Sequence, residues 1–422
     1  MQGSKAAGIS AHEAVRCGDL NEAFRAVKSP AYIFSEQDFI DRMQLVREAF
    51  GETIDICYSI KANPFLLSVL PDGFTNIEVC SPGELEICKA FRIDPSRIIF
   101  SGVNKSAKEV GRALDYGVTL LTAESYSHLD SISSEASKRG ITVDVLVRLS
   151  CESQFGMDKS DVFKVIAQRD SYPGIRITGI HYFTGTQKTR PKEIIKEMTR
   201  LGKILDRLEE ELGYVPERIE YGTGLAVDYF TDEADQKESA RLSDVAESIR
   251  ELSARVHVTV EMGRFFAAPC GYYVTKVVDA KTNDGINYAI VDGGLHQLKY
   301  DGQIQGMQIP VITHIKGENA AGSAAPKEAD GGQPDDKWTL CGSLCTTADV
   351  IARGASLPGL SIGDSLVFHR TGAYSLYEGF SLFLSRDLPS IYVLDRAGGL
   401  HLMRSRIETA QFNQPEDMTA WL

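Results

Sequence analysis

The sequence has little of what marks a membrane-bound or secreted protein. No run of about 18 apolar residues occurs, which argues against a membrane-spanning helix. Residues 1–20 lack the apolar core of a signal peptide. The 8 cysteines are scattered, without a CxxC pair or the Cys/His spacing of a metal site. We therefore expect a cytoplasmic protein with reduced thiols and no metal.

Basic residues are also fewer than acidic residues in this chain. The formal net charge is -13, which argues against a nucleic-acid partner and, more weakly, against binding to an anionic membrane. The chain has 422 residues, of which 43% are hydrophobic and 24% charged. This composition provides a sizeable core, and the length favours two domains.

Short β-branched runs alternate with amphipathic stretches of helix length through the first part of the chain. The first run ends at Ile60, and the other seven lie at 76–79, 97–100, 118–121, 143–149, 177–183, 218–221 and 256–262. Between the last runs, the stretch 190–213 has apolar residues at helical spacing and ends at Gly213, a candidate C-cap. Eight strands alternating with helices predict an α/β TIM barrel, whose usual length is ~250 residues. A doubly wound open sheet is the alternative.

The character of the sequence changes after about Gly271. Strand-like runs follow without long helices between them, which predicts an all-β second domain of sandwich or barrel type. We expect a segment 1–30 that packs on the C-terminal domain, a barrel over 31–271 and a β domain over 272–422. The stretch 316–337 is rich in Gly, Ala and charge and predicts a mobile loop, either a lid or a surface insertion.

Reactive residues follow several of the predicted barrel strands. Lys61 follows the first run, the segment His181–Thr186 ends the sixth, Gly222–Gly224 the seventh and Glu261–Arg264 the eighth. Each has an ordinary explanation: a surface lysine, a tight turn, an exposed ion pair. Active sites of such barrels lie where the strands end, so these residues are expected on one face.

Together these residue types suit pyridoxal 5'-phosphate (PLP). An amine such as Lys61 can attack the cofactor aldehyde if cationic neighbours or a dry pocket lower its pKa. Glycines let backbone N–H groups approach the phosphate, and Arg264 can add charge-assisted hydrogen bonds. Glu261 is the candidate carboxylate for the pyridine nitrogen.

Seven segments in order resemble the alanine-racemase-like (fold-type III) PLP decarboxylases, a group that includes diaminopimelate and ornithine decarboxylases. They are YSIKANP (58–64), EVCSPGEL (78–85), GIHYFTGTQ (179–187), YGTGLAVDY (221–229), EMGR (261–264), CGSLCTTAD (341–349) and GAY (372–374). The resemblance covers nearly the whole chain, from about Ala31 to Pro389.

This resemblance implies a role for each matching residue. Lys61 would carry the cofactor as a Schiff base, Glu261 would bind the pyridine nitrogen, and Cys345 from a partner subunit would protonate the carbanion left by CO2. The active site would thus be shared across a homodimer, and Thr346 and Asp349 would contact substrate. The phosphate would be held by Thr186, Gly222, Thr223, Gly224, Gly263, Arg264 and Tyr374.

The departures from the family pattern concern the ring and the substrate. Phe183 stands where the family usually has a stacking histidine, and His181 could compensate from the same face of the strand. Thr346 replaces a glutamate that grips the distal amino acid end of diaminopimelate, so no counter-ion for a distal ammonium is evident. The pattern is most similar to the secondary-metabolism branch, such as a carrier-bound glutamate decarboxylase of butirosin biosynthesis. We therefore expect an amino acid substrate, either free or attached to a larger group.

Other functions stay open. A decarboxylase of free diaminopimelate, lysine or ornithine is the nearest alternative. A racemase of the same fold would need a tyrosine base, against which the cysteine motif speaks. A catalytically silent regulator has no need of Lys61, and a cofactor-free aldolase would leave Glu261 and the glycine loop unexplained.

Overall fold

The computed structural model describes residues 15–317 and 336–416. The chain divides into two compact units. One consists of Asp38–Pro269, and the other combines Met1–Gln37 with Cys270–Leu422. Most of the predicted loop 316–337 lies outside the described residues.

The chain begins with a short strand, a helix and a second strand, followed by a longer helix. These elements are β1 (Val15–Arg16), α1 (Leu20–Ala26), β2 (Ala31–Ser35) and α2 (Glu36–Phe50). Asp19 caps α1 by accepting a hydrogen bond from the Glu22 backbone N–H.

Eight parallel strands then close into a barrel, which confirms the predicted fold class. They are β3 (Asp55–Ser59), β4 (Asn76–Val79), β5 (Ile98–Phe100), β6 (Leu120–Ala123), β7 (Val143–Leu149), β8 (Ile175–Phe183), β9 (Arg218–Gly222) and β10 (His257–Met262). Neighbours along the chain are neighbours in the sheet, and β10 pairs with β3 to close it. We call the end at which these strands finish the barrel mouth.

Helices follow the strands around the barrel. They are α3 (Pro82–Ala90), α4 (Ala107–Tyr116), α5 (Tyr126–Lys138), α6 (Lys159–Ala167), α7 (Pro191–Leu212), α8 (Ala234–Ser253) and the short α9 (Arg264–Ala267). Local sequence sets their ends: Ser106 and Glu109 form a reciprocal capping box at the start of α4. Gly213 ends α7 in the left-handed conformation, as its sequence position predicts.

The other unit is built on a 10-stranded mixed sheet. Its later strands are β11 (Gly271–Asn283), β12 (Ile286–Val291), β13 (Ile312–Ile315), β14 (Lys337–Cys341), β15 (Val350–Ser356), β16 (Ser365–His369), β17 (Ser390–Leu394) and β18 (Gly399–Arg404). The N-terminal β1 pairs with β18, and α1 contributes Ala23 and Phe24 to the apolar core of this unit.

The domain boundary differs from the predicted one at the N-terminal side. Residues 31–35 were predicted to begin the barrel, but β2 lies between β11 and β17 in the mixed sheet. All five residues of β2 are buried. Their apolar run reflects a central position in that sheet, which periodicity alone cannot distinguish from a barrel strand.

Candidate active site

Lys61 lies at the barrel mouth, in a single 3-10 turn (Ile60–Ala62) directly after β3. Its Nζ donates hydrogen bonds to Glu78 Oε2 at 2.6 Å and to Glu261 Oε1 at 3.3 Å. Both carboxylates are nearly inaccessible to solvent, whereas the lysine side chain is 38% exposed. The amine is therefore anchored by two buried carboxylates and still open to a reactant from the mouth.

Glu261 is held from three sides. Besides Lys61, Ser59 Oγ donates to Oε1 at 2.7 Å and His181 Nε2 lies 3.2 Å from Oε2. Burial alone would raise the pKa of this carboxyl, but the Lys61 ammonium and the bonds from His181 and Ser59 lower its pKa well below the usual range. Glu261 thus stays ionised, as a partner for a protonated pyridine nitrogen must.

Glu78 was not singled out by sequence reasoning, although it opens the quoted motif EVCSPGEL. It accepts the shortest bond of Lys61, and Cys80 Sγ donates to its second oxygen at 2.9 Å. A carboxylate in the middle of the buried strand NIEV (76–79) is the signal that could have found it, because an unpaired charge is rarely left in such a place.

A third carboxylate, Glu220, lies inside the barrel on β9. It is 1% exposed and pairs in register with His181 of β8 and Thr259 of β10. Neither of its oxygens has a hydrogen-bond partner among the described residues. Burial, then the charges of Glu261 and Glu78, raise the pKa of Glu220 well above its ordinary value. This residue was also missed by sequence reasoning.

The glycines form a close backbone cradle beside β8 and β9. Gly224 has φ +61°, and a Cβ there would meet the Gly185 carbonyl oxygen at 1.9 Å, so a side chain is excluded. A Cβ at Gly222 would strike the Phe183 ring at 2.5 Å. Thr223 is buried, and its hydroxyl accepts from the Leu225 N–H, so it shapes the turn. Its contact with phosphate stays a prediction.

The remaining predicted phosphate residues of the barrel lie at the same end. Gly263 follows β10, where a Cβ would contact the Ser59 carbonyl and the Ala62 side chain at 3.0 Å. Arg264 begins α9, and its Nη1 donates to the Tyr229 hydroxyl at 2.8 Å. Thr186 is exposed on the loop between β8 and α7.

These features fit PLP. A solvent-accessible amine, an ionised buried carboxylate and a side-chain-free backbone cradle occur together at one barrel mouth. They correspond to what the aldehyde, the pyridine nitrogen and the phosphate of PLP require. His181 and Phe183 share one face of β8, but His181 is bonded to Glu261 whereas Phe183 packs over Gly222.

Four predicted residues belong to the other unit. Cys345 and Thr346 are exposed on the loop between β14 and β15 (342–349), and Tyr374 is half-buried with φ +62°. Asp349 is 2% exposed, and its two carboxylate oxygens accept the backbone N–H groups of Leu295 and Leu344, each at 2.8 Å. These hydrogen bonds stabilise the loop that carries Cys345, and the contact of Asp349 with substrate stays a prediction.

Comparison with known proteins identifies the class. Residues 36–268 match the family model described as pyridoxal-dependent decarboxylase, pyridoxal binding domain. The chain therefore belongs to this family of PLP-dependent carboxy-lyases, and PLP is its cofactor.

Individual relatives are more distant. The chain is 28% identical over 413 residues to the L-glutamyl-[BtrI acyl-carrier protein] decarboxylase of Niallia circulans. The aligned region covers 92% of this chain and 94% of the relative. It is 26% identical over 377 residues to a diaminopimelate decarboxylase of Helicobacter pylori, covering 84% and 88%. The structure of diaminopimelate decarboxylase from M. jannaschii with L-lysine shares the fold, with a TM-score of 0.80, 22% identity and coverage of 96% and 95%.

The helices give no sign of a membrane span. Within 15–317 and 336–416, none is both long and apolar enough to cross a bilayer.

Proposed function

We propose that this protein decarboxylates an amino acid attached to a larger carrier, with Lys61 holding the cofactor covalently and Cys345 of a partner subunit supplying the proton. The observation that carries the proposal is the position of Lys61 Nζ between Glu78 and Glu261 at the barrel mouth. A cytoplasmic location and a part in secondary metabolism remain predictions that accompany it.

PLP, when bound, supplies an electron sink for the pair released as CO2 leaves. Lys61 must lose a proton before it can bond to an aldehyde, and Glu78 Oε2 is the nearest acceptor in the site. Glu261 would keep the pyridine nitrogen protonated, and its own charge is secured by Lys61, His181 and Ser59. The glycine cradle and Arg264 would hold the phosphate and so orient the ring.

The second unit offers the proton donor. Cys345 is the exposed thiol of the chain, whereas Cys17, Cys57, Cys88 and Cys270 are buried. A thiol at the surface of one subunit can reach the site of another. Its loop is fixed by Asp349, so the thiol is presented on a defined backbone.

A large apolar surface supports the homodimer. The segment 377–384 exposes Tyr377, Phe380, Leu382, Phe383 and Leu384, and Phe380 is 65% exposed. Contiguous exposed apolar residues of this kind are typical of protein interfaces. We therefore expect this segment to be covered in the dimer.

The substrate proposal depends on which part of the amino acid takes no part in decarboxylation. The α-amino group must join the cofactor and the α-carboxylate must leave, so any carrier is attached through the side chain of the amino acid. Thr346 carries no charge for a distal ammonium, and its hydroxyl accepts the Ala348 N–H. A side chain whose end is already esterified or thioesterified presents no such ammonium, which fits this neutral residue.

The test is CO2 release by the PLP-loaded protein. The substrates are a glutamyl acyl-carrier protein of the kind used by the Niallia circulans relative, free glutamate, meso-diaminopimelate, lysine and ornithine. We expect turnover of the carrier-bound amino acid alone. Efficient turnover of free diaminopimelate would instead establish the alternative free amino acid decarboxylase. A protein that develops the visible absorbance of lysine-linked PLP but releases no CO2 from any substrate would support the silent regulator.

A further inference from the structure

One exposed face of α7 is strongly basic. Lys192, Lys196, Arg200 and Lys203 are exposed and spaced four, four and three residues apart, which places them on one side of the helix. We call these four residues the basic face. They stand out in a chain whose formal net charge is -13.

Acids such as Glu193 lie near the basic face but are not paired with it. Among the described residues, none of the four side chains makes an ion pair. Glu197 of the same helix is engaged by Lys188 at 2.8 Å and by the Tyr221 hydroxyl at 2.5 Å. Like charges four residues apart destabilise a helix, so this arrangement has a cost to folding that a partner of opposite charge would remove.

Further cations extend the same positive region. Lys159, at the start of α6, is a neighbour of α7, and partial burial together with Arg207 and Arg200 lowers its pKa. Lys159, Lys196 and Arg200 line a cavity of about 730 Å3, and the carboxylates of Glu152, Asp158 and Glu197 line it as well. The Tyr182 side chain is fully buried, and its hydroxyl has no hydrogen-bond partner of good geometry among the described residues.

The basic face begins next to the catalytic end of the barrel. Helix α7 starts directly after the loop that bears Thr186, and the helices of such a barrel begin where its strands end. The face runs from Lys192 to Lys203, about 16 Å along the helix. Ile195, which is 39% exposed, adds an apolar contact beside Lys192 and Lys196.

We propose that the basic face is the docking site of an acidic carrier protein that delivers the amino acid to the barrel mouth. This inference rests on the proposed carrier-bound substrate. Charge complementarity selects the occupant: a folded acidic protein can place a few carboxylates on four cations and one isoleucine. A nucleic acid extends far beyond such a patch and would meet the negative charge of the rest of the chain.

The test is a steady-state comparison with the PLP-loaded full chain. The double variant Lys196→Glu/Arg200→Glu reverses the middle of the basic face. The matched control is Lys108→Glu/Arg112→Glu on α4, where two exposed cations have the same spacing of four. Each protein is assayed on the glutamyl acyl-carrier protein and on a glutamyl thioester of a small thiol.

We expect the face variant to raise KM for the carrier substrate about tenfold or more with little change in kcat. Its kinetics on the small thioester, and those of the control variant on both substrates, should match the wild type. KM of the wild type for the carrier should rise with salt, and KM for the small thioester should not.

Two results would overturn the docking proposal. One is an unchanged KM for the carrier in the face variant while the wild type turns the carrier over efficiently. The other is loss of binding to a labelled RNA duplex in the face variant without any effect on the carrier, which would assign the face to nucleic acid. If the wild type does not act on the carrier at all, the proposed function itself is wrong.

Discussion

The barrel mouth and the loop 342–349 handle charge in opposite ways. At the mouth, Lys61 and Glu261 belong to a network of buried or half-buried groups that bond to one another. In the loop, Cys345 and Thr346 are exposed to solvent, and Asp349 is its buried carboxylate. The mouth is arranged to bind a cofactor within one chain. The loop instead presents side chains that can contact a molecule outside its own chain.

The largest effect is expected from removing the amine of Lys61 at the barrel mouth. Lys61→Ala should lower kcat by on the order of 10³-fold or more, because it removes the proposed attachment point of the cofactor. The visible absorbance that develops with added PLP should be lost as well. Lys108→Ala, which removes an exposed lysine on α4, is the control. Retention of the absorbance by Lys61→Ala would show that another lysine binds the cofactor.

The loop is tested next through its thiol. Cys345→Ser should lower kcat by about 10²-fold or more, the usual contribution of a positioned acid, and leave the visible absorbance intact. Cys341→Ser, four residues earlier in β14, should have little effect on kcat. Equal losses in both variants would point to a folding defect of the loop.

Mixing the two variants tests whether the mouth of one subunit and the loop of another form one site. If each site takes Lys61 from one subunit and Cys345 from the other, unfolded and refolded mixtures of Lys61→Ala and Cys345→Ser should recover roughly a quarter of wild-type activity. Random pairing makes half of the dimers mixed, and each mixed dimer contains one native site. Activity that stays at the level of the separate variants would place both groups in one subunit.

The support beneath the loop should matter less than the thiol itself. Asp349→Ala leaves the N–H groups of Leu295 and Leu344 without their acceptor, which should lower the free energy of unfolding by about 2–4 kcal/mol. The activity should fall as the loop loosens. Asp244→Ala on the exposed side of α8 should stay within about 0.5 kcal/mol of the wild type. Chemical denaturation monitored by fluorescence measures both.

The smallest effect concerns the unpartnered carboxyl inside the barrel. Because burial raises the pKa of Glu220, its contribution to stability is fully present below the unfolded pKa and is lost as the pH rises through the folded pKa. Glu220→Gln does not titrate. The free energy of unfolding of this variant should equal that of the wild type at about pH 4 and exceed it by about 1–3 kcal/mol at about pH 9.

A difference between the two proteins that does not vary with pH would contradict this account of Glu220. Glu247→Gln on the surface of α8 is the control for the loss of one negative charge.

Much of the fold could be predicted because its pattern is local. The eight barrel strands were placed within about two residues, since β-branched runs and helix caps mark them directly. Residues 31–35 were assigned to the wrong sheet because a run of buried residues does not name the strands it pairs with. Only the closed fold shows that β2 lies between β11 and β17.

The site was predicted less completely. Motifs mark Lys61 and Glu261 directly. Glu78 was overlooked although its buried strand marks it, whereas Glu220 becomes evident only from the pairing of neighbouring barrel strands. The structural role of Asp349 could not be predicted from its place in a motif. Its burial against Gly294 and Gly342, where a Cβ would meet its carboxylate at 2.7 Å and 2.3 Å, becomes visible only in three dimensions.

The exposure of Cys345 has a consequence for the working life of the enzyme. Within a single chain it is the thiol most open to an oxidant or an alkylating reagent, because four of the other seven are buried and three are half-buried. Mild oxidation should therefore silence turnover while the protein remains folded and coloured by its cofactor. A thiol reductant should restore activity as long as the sulfur has not passed beyond the sulfenic acid or a disulfide.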